Sequence, residues 1–116
     1  VPRQQPQAPA TVADGVTADL DGLRIDHDLR EVTVDGRPAT LTALEFDLLA
    51  ALAAAPRRVF TRRLLLEQIW GFDHVGDERV VDVHIRNLRR ALGDDAERPR
   101  WIGTVRGVGY RFEATP

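Results

Sequence analysis

"DERVVDVHIRNLRRAL", residues 77–92, sets four arginines, Arg79, Arg86, Arg89 and Arg90, into one helix-length segment of a chain whose net charge is −2. At about 100° per residue, Val81, Ile85, Leu88 and Leu92 fall within about 60° of one another, a stripe for a core to cover. The opposite pole gathers Arg79, Val83, Arg86 and Arg90, with Asn87 beside them. Asp82 and Arg89 share one flank, where they are placed to pair. A merely solvated face alternates carboxylates with guanidiniums at i,i+4 spacing. This pole carries no carboxylate, and Val83 sits in its middle. Guanidiniums beside an amide and an exposed valine suit a major groove: Arg for phosphate or guanine, Asn for adenine, an apolar group for the thymine methyl. The pattern predicts a helix that reads duplex DNA.

The neighbouring segments agree. Thr61 caps a second helix, "RRLLLEQIW", stopped by Gly71, and "GFDHVGD" leads to the third. A helix, a connection and a longer cationic helix make the helix-turn-helix plan, whose second member enters the groove. A first helix starts at Thr42, with Glu45 completing a capping box and Leu41 and Phe46 forming a hydrophobic staple. Its body, "ALEFDLLAALAAA", is apolar nearly all round, as a central buried helix is. Pro56 ends it, and Val59 and Phe60 form a short extended piece.

Both ends of the domain read as β-structure. "WIGTVRG" and "GYRFE" are strands joined by "RGVG", a wing with Arg106 at its turn, poised for a narrow minor groove. At the other end, "GLRIDHD" and "REVTVDG" alternate, Asp35-Gly36 marks a hairpin, and "PATLT" closes an antiparallel sheet over about residues 16–41. Residues 1–14, "VPRQQPQAPATVAD", are a linker or disordered tail. The expected fold is α+β: a winged helix-turn-helix over residues 15–116, with an N-terminal antiparallel sheet, three helices and a C-terminal β-hairpin wing.

Composition narrows the function classes. The chain has no Cys, Ser, Met or Lys, so all 16 basic residues are Arg. The usual nucleophiles, a Schiff-base amine and a P-loop lysine are therefore missing. Arg favours planar, bidentate contact with phosphate or guanine, although a genome-wide bias also accounts for missing Lys. Residues 1–56 hold four Arg against nine acids, while residues 57–116 hold twelve Arg against nine acids. The two halves thus carry −5 and +3, an asymmetry that points to a polyanion-facing surface. "GVGYRF" lacks the third glycine of a dinucleotide fingerprint and precedes a strand, so no cofactor is expected. His27, His74 and His84 lack metal-ligand spacing, and Asp19, Asp21, Asp26 and Asp28 lack a calcium-loop pattern. Absent cysteine fits a reducing cytoplasm, and no apolar run reaches bilayer length. A start at Val1 instead of Met suggests a fragment or a processed chain.

"LTALEFDLLAALAAAPRRVFTRRLLLEQIW", "ERVVDVHIRNLRRAL" and "TVRGVGYRF" together resemble the winged-helix effector domain of response regulators of the OmpR/PhoB type, over about residues 16–113. The resemblance implies transcription control within a two-component system, without catalysis. It implies double-stranded DNA as partner, with helix 78–92 in the major groove and Arg106 in the minor groove. Arg62, Trp70, Arg79, His84 and Arg86 match phosphate contacts, as do Thr104 and Tyr110 on the wing. Val83, Asn87 and Arg90, with Arg89, match the base-reading face. Gly71, Phe72, Asp73, His74, Val75, Gly76 and Asp77 match the loop that touches RNA polymerase in activators. A receiver domain, absent from this chain, precedes the effector domain in that family, and pairing on tandem half-sites is implied. Some relatives carry a basic residue at the place of Asn87, which leaves the preferred bases open.

Plainer roles stand beside these. Trp70 and Tyr110 also fit the edge of a core, His84 fits a packing position, and Arg106 fits a solvated turn. A rival function is a winged helix that docks on RNA polymerase through the 71–77 loop and the acidic N-terminal sheet, without reading DNA. A carboxylate-dependent hydrolase is the enzymatic rival, but no convergent acid pair supports it. About five neutralised phosphates would give a slope of log K against log salt near −4 to −5.

Overall fold

Two Asp-Gly turns organise the N-terminal half of the computed structural model, which describes residues 12–13, 16–17, 19–71 and 77–114. At Asp35-Gly36 both residues have positive φ, 52° and 84°, the backbone of a two-residue hairpin turn. It joins β4 (Glu31–Val34) to β5 (Arg37–Ala39). Asp21-Gly22 repeats the conformation, at 56° and 88°, between Leu20 and Leu23, whose amides and carbonyls bond to each other. With β1 (Val12–Ala13), β2 (Val16–Thr17) and β3 (Leu23–Asp26), these strands form an antiparallel sheet in the order β1-β2-β3-β4-β5. The sheet therefore begins inside the 1–14 segment expected as linker or tail, because Val12–Ala13 pairs with Val16–Thr17. Residues 1–11 lie outside the described residues.

The helices follow their local signals. In α1 (Ala43–Ala53), Thr42 Oγ1 accepts from the Glu45 amide while the Glu45 carboxylate accepts from the Thr42 amide, the reciprocal capping box. The helix ends at Ala53, with Ala54 as a cap still in the α region, and Pro56 restricts only Ala55 before it. Thr61 Oγ1 accepts from the Leu64 amide and opens α2 (Arg62–Trp70). In α3 (Arg79–Leu92), Val81, Ile85, Leu88 and Leu92 are all buried, as the wheel requires, and Gly93 ends the helix in the left-handed conformation.

The extended piece before α2 does more than connect. β6 (Val59–Thr61) pairs with β8 (Gly109–Phe112), which pairs with β7 (Ile102–Val105), so the wing is the outer part of a three-stranded sheet, β6-β8-β7. This junction needs glycine at 109: a Cβ there would stand 2.0 Å from the Phe60 carbonyl oxygen. One core runs from Leu20, Leu23 and Ile25 through Phe46, Leu49 and Leu52 to Ile85, Leu88, Trp101 and Phe112. Each such side chain contributes about 1.5–3 kcal/mol on burial. α1 packs on α2, α3 and β8, which leaves the far face of α3 and the β7–β8 turn projecting from the body. Among the described residues no helix is long and apolar enough to cross a membrane.

Candidate nucleic-acid interface

The outward pole of α3 has the composition expected of it. Arg79, Arg86 and Arg90 are exposed, and Val83 keeps 43% of its surface accessible. Asn87 sits half-buried beside them. Arg86 and Arg90 have no hydrogen bond or ion pair among the described residues, so their guanidiniums are available to an external acceptor. Arg106 is exposed and equally unpartnered at the wing turn, where the Val108 amide donates to the Val105 carbonyl and Gly107 takes a positive φ. Arg79 is held back: its Nε donates to Asp77 at 2.9 Å and its backbone amide to the same carboxylate. The hydrogen bonds from the Arg79 side chain, and then from its amide, keep the Asp77 carboxyl below its usual range.

One flank of α3 departs from the helical wheel. Asp82 does not pair with Arg89. Its Oδ1 lies 3.0 Å from Arg62 Nε on α2 and accepts the Tyr110 hydroxyl from β8. Arg89 instead donates through Nε and Nη2 to the Ile102 carbonyl, at 3.2 and 3.0 Å, and through Nη2 to Thr104 Oγ1 at 2.7 Å. Its guanidinium also lies over the Tyr110 ring, 5.6 Å from the centroid. Arg89 thus takes a backbone carbonyl and a hydroxyl on β7, while Asp82 turns one oxygen to Arg62 and Tyr110. Arg89, expected on the base-reading face, ties α3 to β7 of the wing.

Tyr110, expected at a phosphate, is likewise engaged within the fold. It is 7% exposed, and its hydroxyl proton is committed to Asp82, so it has no donor left for a phosphate. Thr104 accepts from Arg89 yet keeps its own hydroxyl hydrogen, on an exposed strand position. Arg62 keeps its terminal amino groups beyond the Asp82 contact, with 47% of its side chain accessible. His84 Nδ1 donates to the Val80 carbonyl at 2.9 Å, and its ring meets Trp70 edge-on at 5.2 Å between centroids. Arg63 pairs with Glu78 at 3.1 Å and ties α2 to the entry of α3. Of the expected polymerase-contact loop, Phe72, Asp73, His74, Val75 and Gly76 lie outside the described residues. The actual partners of Asp82 and the role of Arg63 are not visible in the sequence, since Arg62 and Tyr110 lie 20 and 28 positions from Asp82 and Glu78 lies 15 from Arg63.

Burial, and then the hydrogen bond to Asp82, push the Tyr110 phenol up to about 12. A phenol raised in the folded state contributes stability that is complete below its unfolded value of about 10 and is lost as pH climbs through about 12. Tyr110 is the sole tyrosine, and Lys and Cys are missing, so no other phenol, lysine amine or thiol titrates in that window. Phenolate absorbance should therefore rise near pH 12 in the folded chain, and unfolding free energy should fall by about 2–3 kcal/mol between pH 10 and 12. An absorbance midpoint near 10 in the folded protein would contradict this arrangement.

Comparison with known proteins places this geometry. The family described as "Transcriptional regulatory protein, C terminal" matches residues 36–112. The DNA-binding response regulator MtrA of Mycolicibacterium smegmatis is 52% identical over 92 residues, covering 79% of this chain and 40% of that protein. The sensory transduction protein RegX3 of the same organism is 41% identical over 101 residues, covering 87% of this chain and 44% of that protein. The chain thus spans about two fifths of the length of these curated relatives. The Klebsiella pneumoniae RstA DNA-binding domain, solved in complex with RstA box, superposes with a TM-score of 0.75 at 37% identity, covering 82% of this chain and 94% of that one. DrrB of Thermotoga maritima, an OmpR/PhoB homolog, gives 0.77 at 39% identity, over 85% of this chain and 44% of that one.

Proposed function

This chain belongs to the C-terminal family of transcriptional regulatory proteins, in its OmpR/PhoB response-regulator branch, and from that premise we propose that it binds duplex DNA sequence-specifically to control transcription. The family is a DNA-binding regulator class and not an enzyme class. The observation that carries the reading is the α3 pole, where Val83, Arg86 and Arg90 project outward with no carboxylate engaging either guanidinium among the described residues. In the major groove, Val83, Asn87 and Arg90 contact base edges. Arg62, Arg79 and Arg86 hold phosphates, with Trp70, His84 and Thr104 beside them, and Arg106 enters the minor groove. Pairing on tandem half-sites about one helical turn apart, control by an N-terminal receiver and polymerase contact through Gly71–Asp77 belong to the same proposal.

Selection of bound sites from a random oligonucleotide pool, followed by gel shifts on selected and random duplexes, tests it. A pure polymerase-docking module shifts neither duplex at low salt. Replacing Asn87 by Ala should cost about 1–3 kcal/mol on the selected site and little on random DNA, narrowing the gap between them, and Arg90→Ala should narrow it too while also removing one cation from both duplexes. Replacing Arg86 by Ala should weaken both duplexes alike. Equal effects of the two classes of variant on both duplexes would refute this division of roles.

A further inference from the structure

The acid on the flank of α3 is placed oddly for a DNA-binding face. Asp82 lies between the guanidinium that heads α2 and the wing, where its negative charge opposes a polyanion. Its contacts explain why it is useful there. One carboxylate oxygen receives both Arg62 from α2 and Tyr110 from β8, while Asp82 itself rides on α3. Three elements that must meet DNA in fixed relation are joined at that atom. Arg89 closes the same cluster from the other side, through Ile102 and Thr104 on β7 and across the Tyr110 ring.

We infer that Asp82 is a positioning residue of the DNA face, holding Arg62 toward a phosphate and the wing in register with α3. The inference rests on the DNA-binding reading above. Ion-paired to Asp82 at 3.0 Å through Nε, the Arg62 guanidinium is drawn toward α3, and its two terminal amino groups remain as a fork, the geometry a phosphate accepts. Held by its hydroxyl, Tyr110 fixes β8, and with it the hairpin that carries Arg106. Charge and position therefore make opposite predictions. If Asp82 acts only as a nearby negative charge, removing it strengthens binding to a polyanion. If it positions Arg62 and the wing, removing it weakens binding.

The test is fluorescence anisotropy of a labelled random duplex and a pool-selected duplex, with the whole 116-residue chain and its Asp82→Asn variant. Asparagine matches the shape but loses the charge-assisted bonds. The expected result is an affinity loss of about tenfold, the size of one such bond, equal on both duplexes because phosphate contacts carry it. Unchanged or tighter binding overturns the inference. The Tyr110 phenol supplies a readout independent of DNA: its titration midpoint should drop in Asp82→Asn, and an unmoved midpoint also counts against the inference. Should Asp82→Asn fail to fold, Tyr110→Phe removes only the hydroxyl and must still weaken both duplexes severalfold, whereas wild-type affinity in that variant overturns the inference. Where both variants fold, their effects should be less than additive, because they cut one network. Failure of the unmodified chain to bind any duplex would remove the DNA-binding reading and this inference together. Tight binding that survives Asp82→Asn removes the inference alone.

Discussion

Raising monovalent salt from about 50 to about 200 mM should weaken DNA binding by roughly 40- to 500-fold. Each phosphate neutralised contributes about −0.9 to the slope of log K against log salt. Arg86, Arg90 and Arg106 have no partner among the described residues; a guanidinium in a groove also neutralises backbone charge and releases counterions, so the three set the lower bound, a slope of about −2.7. Arg62 and Arg79 each meet one carboxylate in the free chain, at 3.0 and 2.7 Å. If both exchange that carboxylate for a phosphate, the slope reaches about −4.5, within the range expected from sequence. A fourfold salt change then multiplies through to the limits given. Anisotropy titrations at four or five salt concentrations yield the slope directly. A slope shallower than about −1 would mean that the α3 pole does not meet the phosphate backbone.

Much of this site was legible before any coordinates. Capping at Thr42, Glu45 and Thr61, and the buried stripe of α3, follow from interactions within one or two helical turns, where spacing alone decides who meets whom. The exposure of Val83 followed from the same wheel. Side-chain pairing across the fold did not. Angular proximity put Asp82 beside Arg89, but an arginine is long enough to choose among acceptors on several elements. Arg89 chose β7, and Asp82 took donors from α2 and β8. The wheel has no term for acceptors it does not contain. The short piece at Val59–Phe60 was recognised as extended, yet its place beside β8 depends on the close approach permitted by Gly109, a contact across some 50 residues. One missed feature was local. Asp21-Gly22, flanked by Leu20 and Leu23, carries the same turn chemistry as Asp35-Gly36.

Replacing Trp101 by Ala should cost about 3–5 kcal/mol of stability, a large share of the roughly 5–15 kcal/mol available to a domain of this kind. Trp101 is fully buried, and its indole N–H donates to the Leu20 carbonyl at 2.8 Å, with a longer contact to the Asp21 carbonyl at 3.2 Å. The ring is covered by Arg100, whose guanidinium lies 4.2 Å from its centroid. That guanidinium also reaches Asp21 and Asp35, the first residues of the two Asp-Gly turns. Its hydrogen bond to Asp35, and then the bond to Asp21, outweigh desolvation and leave the arginine more strongly protonated, and the Arg100 bond holds the Asp35 carboxyl below its usual range. The backbone on either side is fixed too. Asp94, just past α3, accepts the amides of Trp101 and Ile102, and the Trp101 carbonyl accepts the Glu113 amide. This one residue therefore joins the N-terminal sheet, the end of α3 and the wing sheet, so its loss empties a cavity at a three-way junction. Trp101→Phe separates volume from hydrogen bonding: most of the ring remains, while the Leu20 carbonyl is left with only the Leu23 amide. The expected loss is then about 1–2 kcal/mol. Urea denaturation followed by circular dichroism measures both. If Trp101→Ala costs less than about 1 kcal/mol, the N-terminal sheet is not clamped to the helix-turn-helix by this side chain, and the single-core description fails with it.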